Sequence, residues 1–300
     1  MKAVIDIGTN TFHLLIGEAK DNKTDIIFKQ TIAVKLGEGG GISRGEIIPT
    51  AYQRGLDAMA VFGEEIKKRN ITHVKATATA AVRDAKNGAA FIEDLYQLTQ
   101  INIDIIDGLQ EAFYIYQGAK ASGILTDERT LLMDIGGGSV EFIICNEKEI
   151  YWKNSFRLGA ARLLSDFYNN PLNTEDLNLL NAHFKHTLPS LIAALNKHQP
   201  KVLIGTAGAF DSYRDIILAK SGKPSKNVIF NLEEPDFSAL LDKIIQSTHE
   251  ERVKIKGLIP LRTDMILMAS VLTKFILSKS GITQVKACAY SLKEGLLHSA

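Results

Sequence analysis

The chain has 300 residues, 45% of them hydrophobic and 23% charged, with a formal net charge of +1. That balance describes a globular protein with room for two domains and excludes a disordered chain. Neither half is strongly basic or acidic, so no nucleic-acid polymer is expected as a partner, and a bound polyanion needs a local site. The two cysteines, Cys145 and Cys288, form no CxxC pair or disulfide framework, which fits a reducing cytoplasm. Asp6 breaks the N-terminal apolar run, which therefore does not read as a signal peptide. The apolar stretch 265–277 is interrupted by Lys274 and is too short to span a bilayer, so no membrane partner is expected.

In chain order, residues 2–7 and 11–18 read as two strands joined by a GTN turn, and 25–35 as a third. LGEGGGISRGEI (36–47) reads as a glycine-rich loop, and Pro49 opens a helix to about Asn70 with Leu56, Met59, Phe62 and Ile66 on one face. A strand over 73–78, a helix over 88–100 and a strand over 101–106 follow, and the Asp107-Gly108 turn leads into a helix from Gln110. Further on come strands at 129–135 and 149–156 and a long helix at 174–196 that Pro189 is expected to kink. VLIGTAGAF (202–210) reads as strand, small-residue turn and helix; helices near 235–247 and 264–280, a strand at 283–290 and a short terminal helix complete the chain. Alternating strands and helices of this kind predict an α/β architecture.

The second half repeats part of the first. DIGTNTFHLLI (6–16) and DIGGGSVEFII (134–144) align without a gap, each a strand, a tight glycine turn and a second strand. Such a duplication predicts two similar domains, each on its own sheet, with a boundary near 120–125. We place the domains at 1–121 and 122–300, with the terminal helix (about 291–300) packing back on the first.

The residues that carry chemistry cluster at these turns. Gly136, Gly137 and Gly138 follow a buried strand, and three glycines let backbone N–H groups converge on a phosphate oxygen; a plain hairpin turn is the alternative. Asp134 supplies a hard carboxylate for Mg²⁺, Ser139 a further donor, and Glu141 projects to the same side as Ser139. The first copy makes the same kind of turn with Asp6, Gly8, Thr9, Asn10 and Thr11. The turn through Gly205, Thr206, Ala207 and Gly208 enters a helix N-terminus, which favours an anion or is an ordinary βα connection. Arg83 is placed either to grip a phosphate bidentately or to form a surface ion pair. Glu111, in the first turn after Asp107-Gly108, can take a proton from water or simply complement the helix dipole. His13 reads as core packing, and His183 and His186 lack the partners of a metal site.

Taken together, AVIDIGTNTFHLLI, TATAAVRDA, IIDGLQEA, MDIGGGSVEF, FRLGAARL, GTAGAF, IPLRTDMIL and YSLKEGLL resemble, in this order, the exopolyphosphatase / guanosine pentaphosphate phosphohydrolase (Ppx/GppA) family. This family lies within the sugar kinase, Hsp70 and actin superfamily. The resemblance runs nearly end to end. It implies two actin-like (ribonuclease H-like) α/β domains, each a mixed sheet flanked by helices, with a cleft between them. It also implies Mg²⁺-dependent hydrolysis of terminal phosphate from inorganic polyphosphate or guanosine pentaphosphate; a non-catalytic polyphosphate or alarmone sensor is the different-class alternative. By position, Glu111 is then the general base and Arg83 clamps phosphate. Gly136, Gly137, Gly138 and Ser139 cradle it, Asp134 and Glu141 help to place Mg²⁺, and Asp6 contributes from the other side. A homodimer is the assembly considered, and the length matches the short two-domain members. The chain departs from the family pattern at Leu109-Gln110, at Phe113 where an Arg is common, and at Ala207 and Ala209 where glycines are usual.

Overall fold

The computed structural model describes residues 1–20, 23–222 and 227–299. The chain divides into two compact units. The first comprises Met1–Ala121, Gly137–Ser139 and the segment from Tyr290 on; the second comprises Ser122–Gly136 and Val140–Ala289.

The sheet of the first unit contains β1 (Lys2–Ile7), β2 (Thr11–Lys20), β3 (Lys23–Ala33), β4 (Val74–Ala78) and β5 (Ile103–Ile105), in the order β3-β2-β1-β4-β5. β1 pairs antiparallel with β2, and β2 with β3, while β4 joins β1 and β5 in parallel. Hairpins make the antiparallel part and helical crossovers make the parallel part, as the connection lengths demand. The helix Pro49–Lys68 buries Met59, Phe62 and Ile66 in the core, with Pro49 in its first turn, where a missing N–H costs nothing. Its Gly55 lets the helix Gly88–Thr99 approach, since an added Cβ would lie 2.4 Å from Cζ of Phe91. The terminal helix Leu292–Ser299 packs on the helix Gly108–Ala121 through Gly118 and Gly295; a Cβ on Gly295 would lie 1.8 Å from the carbonyl oxygen of Tyr114.

The sheet of the second unit contains β6 (Thr130–Ile135), β7 (Val140–Cys145), β8 (Ile150–Phe156), β9 (Val202–Thr206), β10 (Ile229–Asn231) and β11 (Gln284–Cys288), in the order β10-β11-β9-β6-β7-β8. Reading from β8 inward, β8-β7-β6-β9-β11 reproduces β3-β2-β1-β4-β5, with β10 added as an antiparallel edge. Two mixed sheets flanked by helices are thus the architecture, in the duplicated form that the DIG repeat predicts. Every residue of β6 and β7 is buried, so these strands are covered on both faces. Cys145 and Cys288 are buried thiols, and burial pushes the Cys145 thiol up, which makes it inert. Among the described residues no helix is long and apolar enough to cross a membrane.

Several local expectations change. The segment 36–47 is not all loop: a 3₁₀ turn over Glu38–Gly40 runs into a one-turn helix over Gly41–Arg44. The long helix at 174–196 is two helices, Thr174–Thr187 and Pro189–His198, because Pro189 has no N–H to carry the ladder through Leu188. Short helices over Ala80–Arg83 and Ala160–Phe167 and the strand β10 were not anticipated; the first helix is a single turn and β10 has three residues, whereas Ala160–Phe167 is amphipathic and was readable.

Candidate functional site

In the first unit, the β1–β2 turn is closed by the Gly8 N–H donating to the Thr11 carbonyl at 3.1 Å. A Cβ on Gly8 would lie 2.9 Å from that same oxygen, which is why the position is glycine. The Asn10 carbonyl accepts from the backbone of Val34 and Lys35, both at 2.9 Å, so the turn is tied to the segment after β3.

Gly137–Ser139, the tip of the second hairpin, groups with this first unit. A Cβ on Gly137 would lie 2.5 Å from Nδ2 of Asn10, and one on Gly138 would lie 2.8 Å from Cβ of Ala80. The consecutive glycines therefore permit close approach to the first turn. Gly136 accepts from the Ala160 N–H at 2.9 Å, at the start of the helix Ala160–Phe167.

Arg83 and Glu111, 28 positions apart in sequence, meet in this unit. Arg83 Nη1 donates to the Ile106 carbonyl at 2.9 Å and lies 3.5 Å from Glu111 Oε2, while its Nε is 3.9 Å from Asp84. Glu111 is buried and sits in the first turn of the helix Gly108–Ala121. That helix begins two residues earlier than Gln110 because Asp107 caps it: Asp107 Oδ1 accepts from the N–H groups of Leu109 and Gln110 at 2.8 Å each, and Gln110 Oε1 accepts from the Asp107 N–H at 3.1 Å. Gln110 thus has a capping role, and Leu109 and Phe113 expose their side chains. None of the three adds charge beside Glu111. The arrangement can do two things: a guanidinium can neutralise phosphate oxygens, and a carboxylate at a helix start can receive a proton.

The second unit presents a row of four side chains across four strands. Strand register places Thr206 of β9 beside Asp134 of β6, Asp134 beside Glu141 of β7, and Glu141 beside Ser155 of β8. Directly paired residues point to one face of a sheet. Thr206 Oγ1 donates to Asp134 Oδ2 at 2.6 Å, and Ser155 Oγ donates to Glu141 Oε1 at 2.6 Å. Thr206 and Glu141 are fully buried and Asp134 is 6% exposed. Among the described residues no group of three or more His, Cys, Asp or Glu side chains forms a metal cage. Mg²⁺ does not need one, since it is commonly held by one or two carboxylates with water and substrate phosphate completing the shell. Two buried carboxylates side by side fit that chemistry.

The equivalent row in the first unit reads Thr77, Asp6, His13, Thr31 by the same register rule. His13 stands where Glu141 stands. It is half-buried, with Nε2 2.8 Å from Thr11 Oγ1 and Nδ1 2.9 Å from Thr31 Oγ1, so it is a polar bridge and not the core residue expected.

At the 205–208 turn, Gly205 is interior to β9 and a Cβ there would lie 2.0 Å from the Phe210 ring; Thr206 uses its hydroxyl on Asp134. Ala207 adopts φ +59, left-handed despite its side chain. Gly208 begins the helix Ala207–Ser221 under the Arg262 guanidinium, whose Nη1 donates to the Gly208 carbonyl. Burial lowers the Arg262 pKa, against the opposing fields of Asp211 and Asp215. Ser155, Thr77 and Arg262 went unassigned in the sequence. Only Arg262 had a signal there, its place in the family-like segment IPLRTDMIL.

Comparison with known proteins follows this geometry. The family model of the Ppx/GppA phosphatase family matches residues 15–300. An exopolyphosphatase structure from Cytophaga hutchinsonii superposes with a TM-score of 0.94 at 37% identity, covering 99% of this chain and 96% of that one. A guanosine-5'-triphosphate,3'-diphosphate pyrophosphatase of Aliivibrio fischeri is 27% identical over 99% of this chain and 59% of its own length. A bifunctional 3-dehydroquinate synthase/phosphatase of Fusobacterium nucleatum is 31% identical over 94% of this chain and 44% of its own. The chain thus spans about half the length of these curated relatives. With the duplicated fold, the glycine turns and a family match over nearly its whole length, this chain belongs to the Ppx/GppA phosphatase family.

Proposed function

We propose that the chain hydrolyses the terminal phosphoanhydride of inorganic polyphosphate, with Glu111 as general base and Arg83 as the phosphate clamp. The observation that carries this reading is the buried Glu111 carboxylate held 3.5 Å from the Arg83 guanidinium. Water attacks the terminal phosphorus as its bond to the bridging oxygen breaks; the water proton passes to Glu111, and the shortened chain leaves on the bridging oxygen. Phosphoryl transfer asks the protein mainly for position and charge. Arg83 and backbone amides of the two glycine turns, other than that of Gly8, which closes its own turn on Thr11, would supply both on the phosphate oxygens. Mg²⁺ would be held by Asp134 and Glu141 and would neutralise charge on the substrate phosphates. Release of phosphate from long-chain polyphosphate, with and without Mg²⁺, tests the reading; no release in either condition rejects it.

A second reading is supported by the several relatives named guanosine-5'-triphosphate,3'-diphosphate pyrophosphatase. The greater identity to an exopolyphosphatase favours polyphosphate. Phosphate release from polyphosphate and from guanosine pentaphosphate, compared at equal phosphoanhydride concentration, decides between them.

A further inference from the structure

We infer that Ser155 and Thr206 are positioning residues that aim the Glu141 and Asp134 carboxylates at a shared divalent cation. The inference rests on the Mg²⁺-dependent reading above. The two acids are direct cross-strand partners, so both side chains rise from one face of the β6–β7 pair. Each accepts a hydroxyl hydrogen bond of 2.6 Å from the strand on its outer flank, Thr206 on β9 and Ser155 on β8. An oxygen caught in so short a bond fixes the rotation of its carboxylate, and so the direction of the other oxygen. Partners of this kind orient metal ligands and set their affinity.

The first unit supplies the control. Its four register positions hold Thr77, Asp6, His13 and Thr31, on the same strand order. There Thr77 Oγ1 is buried with no hydrogen-bond partner among the described residues, and Thr31 meets a histidine ring. The scaffold therefore does not itself require a hydroxyl bonded to the central acid. Where two acids stand together both are gripped from outside; where one acid stands beside a histidine, the neighbouring threonine makes no such bond.

The test is titration of the full chain with Mn²⁺ alone, followed by the loss of the free-Mn²⁺ electron spin resonance signal. Thr206→Val and Ser155→Ala should each weaken Mn²⁺ binding roughly 10–100-fold, whereas Thr206→Ser and Ser155→Thr, which keep the hydroxyl, should restore the parent's affinity. Parent-like affinity in both hydroxyl-free variants, with unchanged circular dichroism, overturns the positioning role and leaves the acids as ligands. Parent affinity that survives Asp134→Asn overturns the cation reading itself and this inference with it. Should the buried Thr206→Val fail to fold, Ser155→Ala on the half-buried flank decides the question alone.

Discussion

The two units share a strand order and a hairpin, yet they carry different chemistry on it. In the second, the row across the sheet runs hydroxyl, acid, acid, hydroxyl; in the first, it runs hydroxyl, acid, histidine, hydroxyl. The first unit instead holds the Arg83–Glu111 pair on the elements after β4 and β5. Duplication supplies two frames of the same strand order, and on the function proposed above single side chains divide the work: proton transfer and clamping in one, cation-type carboxylates in the other. A sheet tolerates such divergence because the backbone ladder persists while one cross-strand side-chain pair changes stability by only about 0.2–1 kcal/mol.

The strongest way to break this division is to remove the proposed base. Glu111→Gln should lower turnover on polyphosphate by roughly 10²–10⁴ while leaving Mn²⁺ binding as in the parent; Asp134→Asn should lose the Mn²⁺ binding. If Glu111→Gln keeps its turnover with an intact fold, the base is elsewhere. A smaller contrast sharpens the row comparison. Thr206→Val removes the donor to a buried carboxylate and should cost about 1–3 kcal/mol in urea unfolding. Thr77→Val removes a buried hydroxyl that has no partner among the described residues, so it should be neutral or stabilising in the same measurement. Equal costs for the two variants would erase the asymmetry between the rows. The smallest effect is expected from His13→Glu, which writes the second unit's acid pair into the first. Like charges opposite one another should cost roughly 0.2–1 kcal/mol, seen as a lower melting temperature in chelator that added Mn²⁺ reverses. A melting temperature indifferent to Mn²⁺ would mean that the second acid alone does not make a cation site.

Much of this was legible before any coordinates. The DIG repeat at Asp6 and Asp134, the glycine turns and the alternation of strands and helices already specify duplicated mixed sheets, because hydrophobic runs and tight turns are local signals. The ungapped repeat even aligns His13 with Glu141. Where a helix was mistaken, as at Leu188, a single proline decided the break. What sequence could not reveal is which side chains stand beside one another across elements far apart in the chain. Ser155 reaches Glu141 only because β8 pairs with β7 in one register, Thr206 reaches Asp134 only because β9 crosses over to lie beside β6, and Arg83 and Glu111 meet on the elements that follow the paired strands β4 and β5. A shift of one residue in any of those pairings turns the hydroxyl to the opposite face. Non-local register is settled by packing of the whole sheet against its helices, and no short window of residues encodes it.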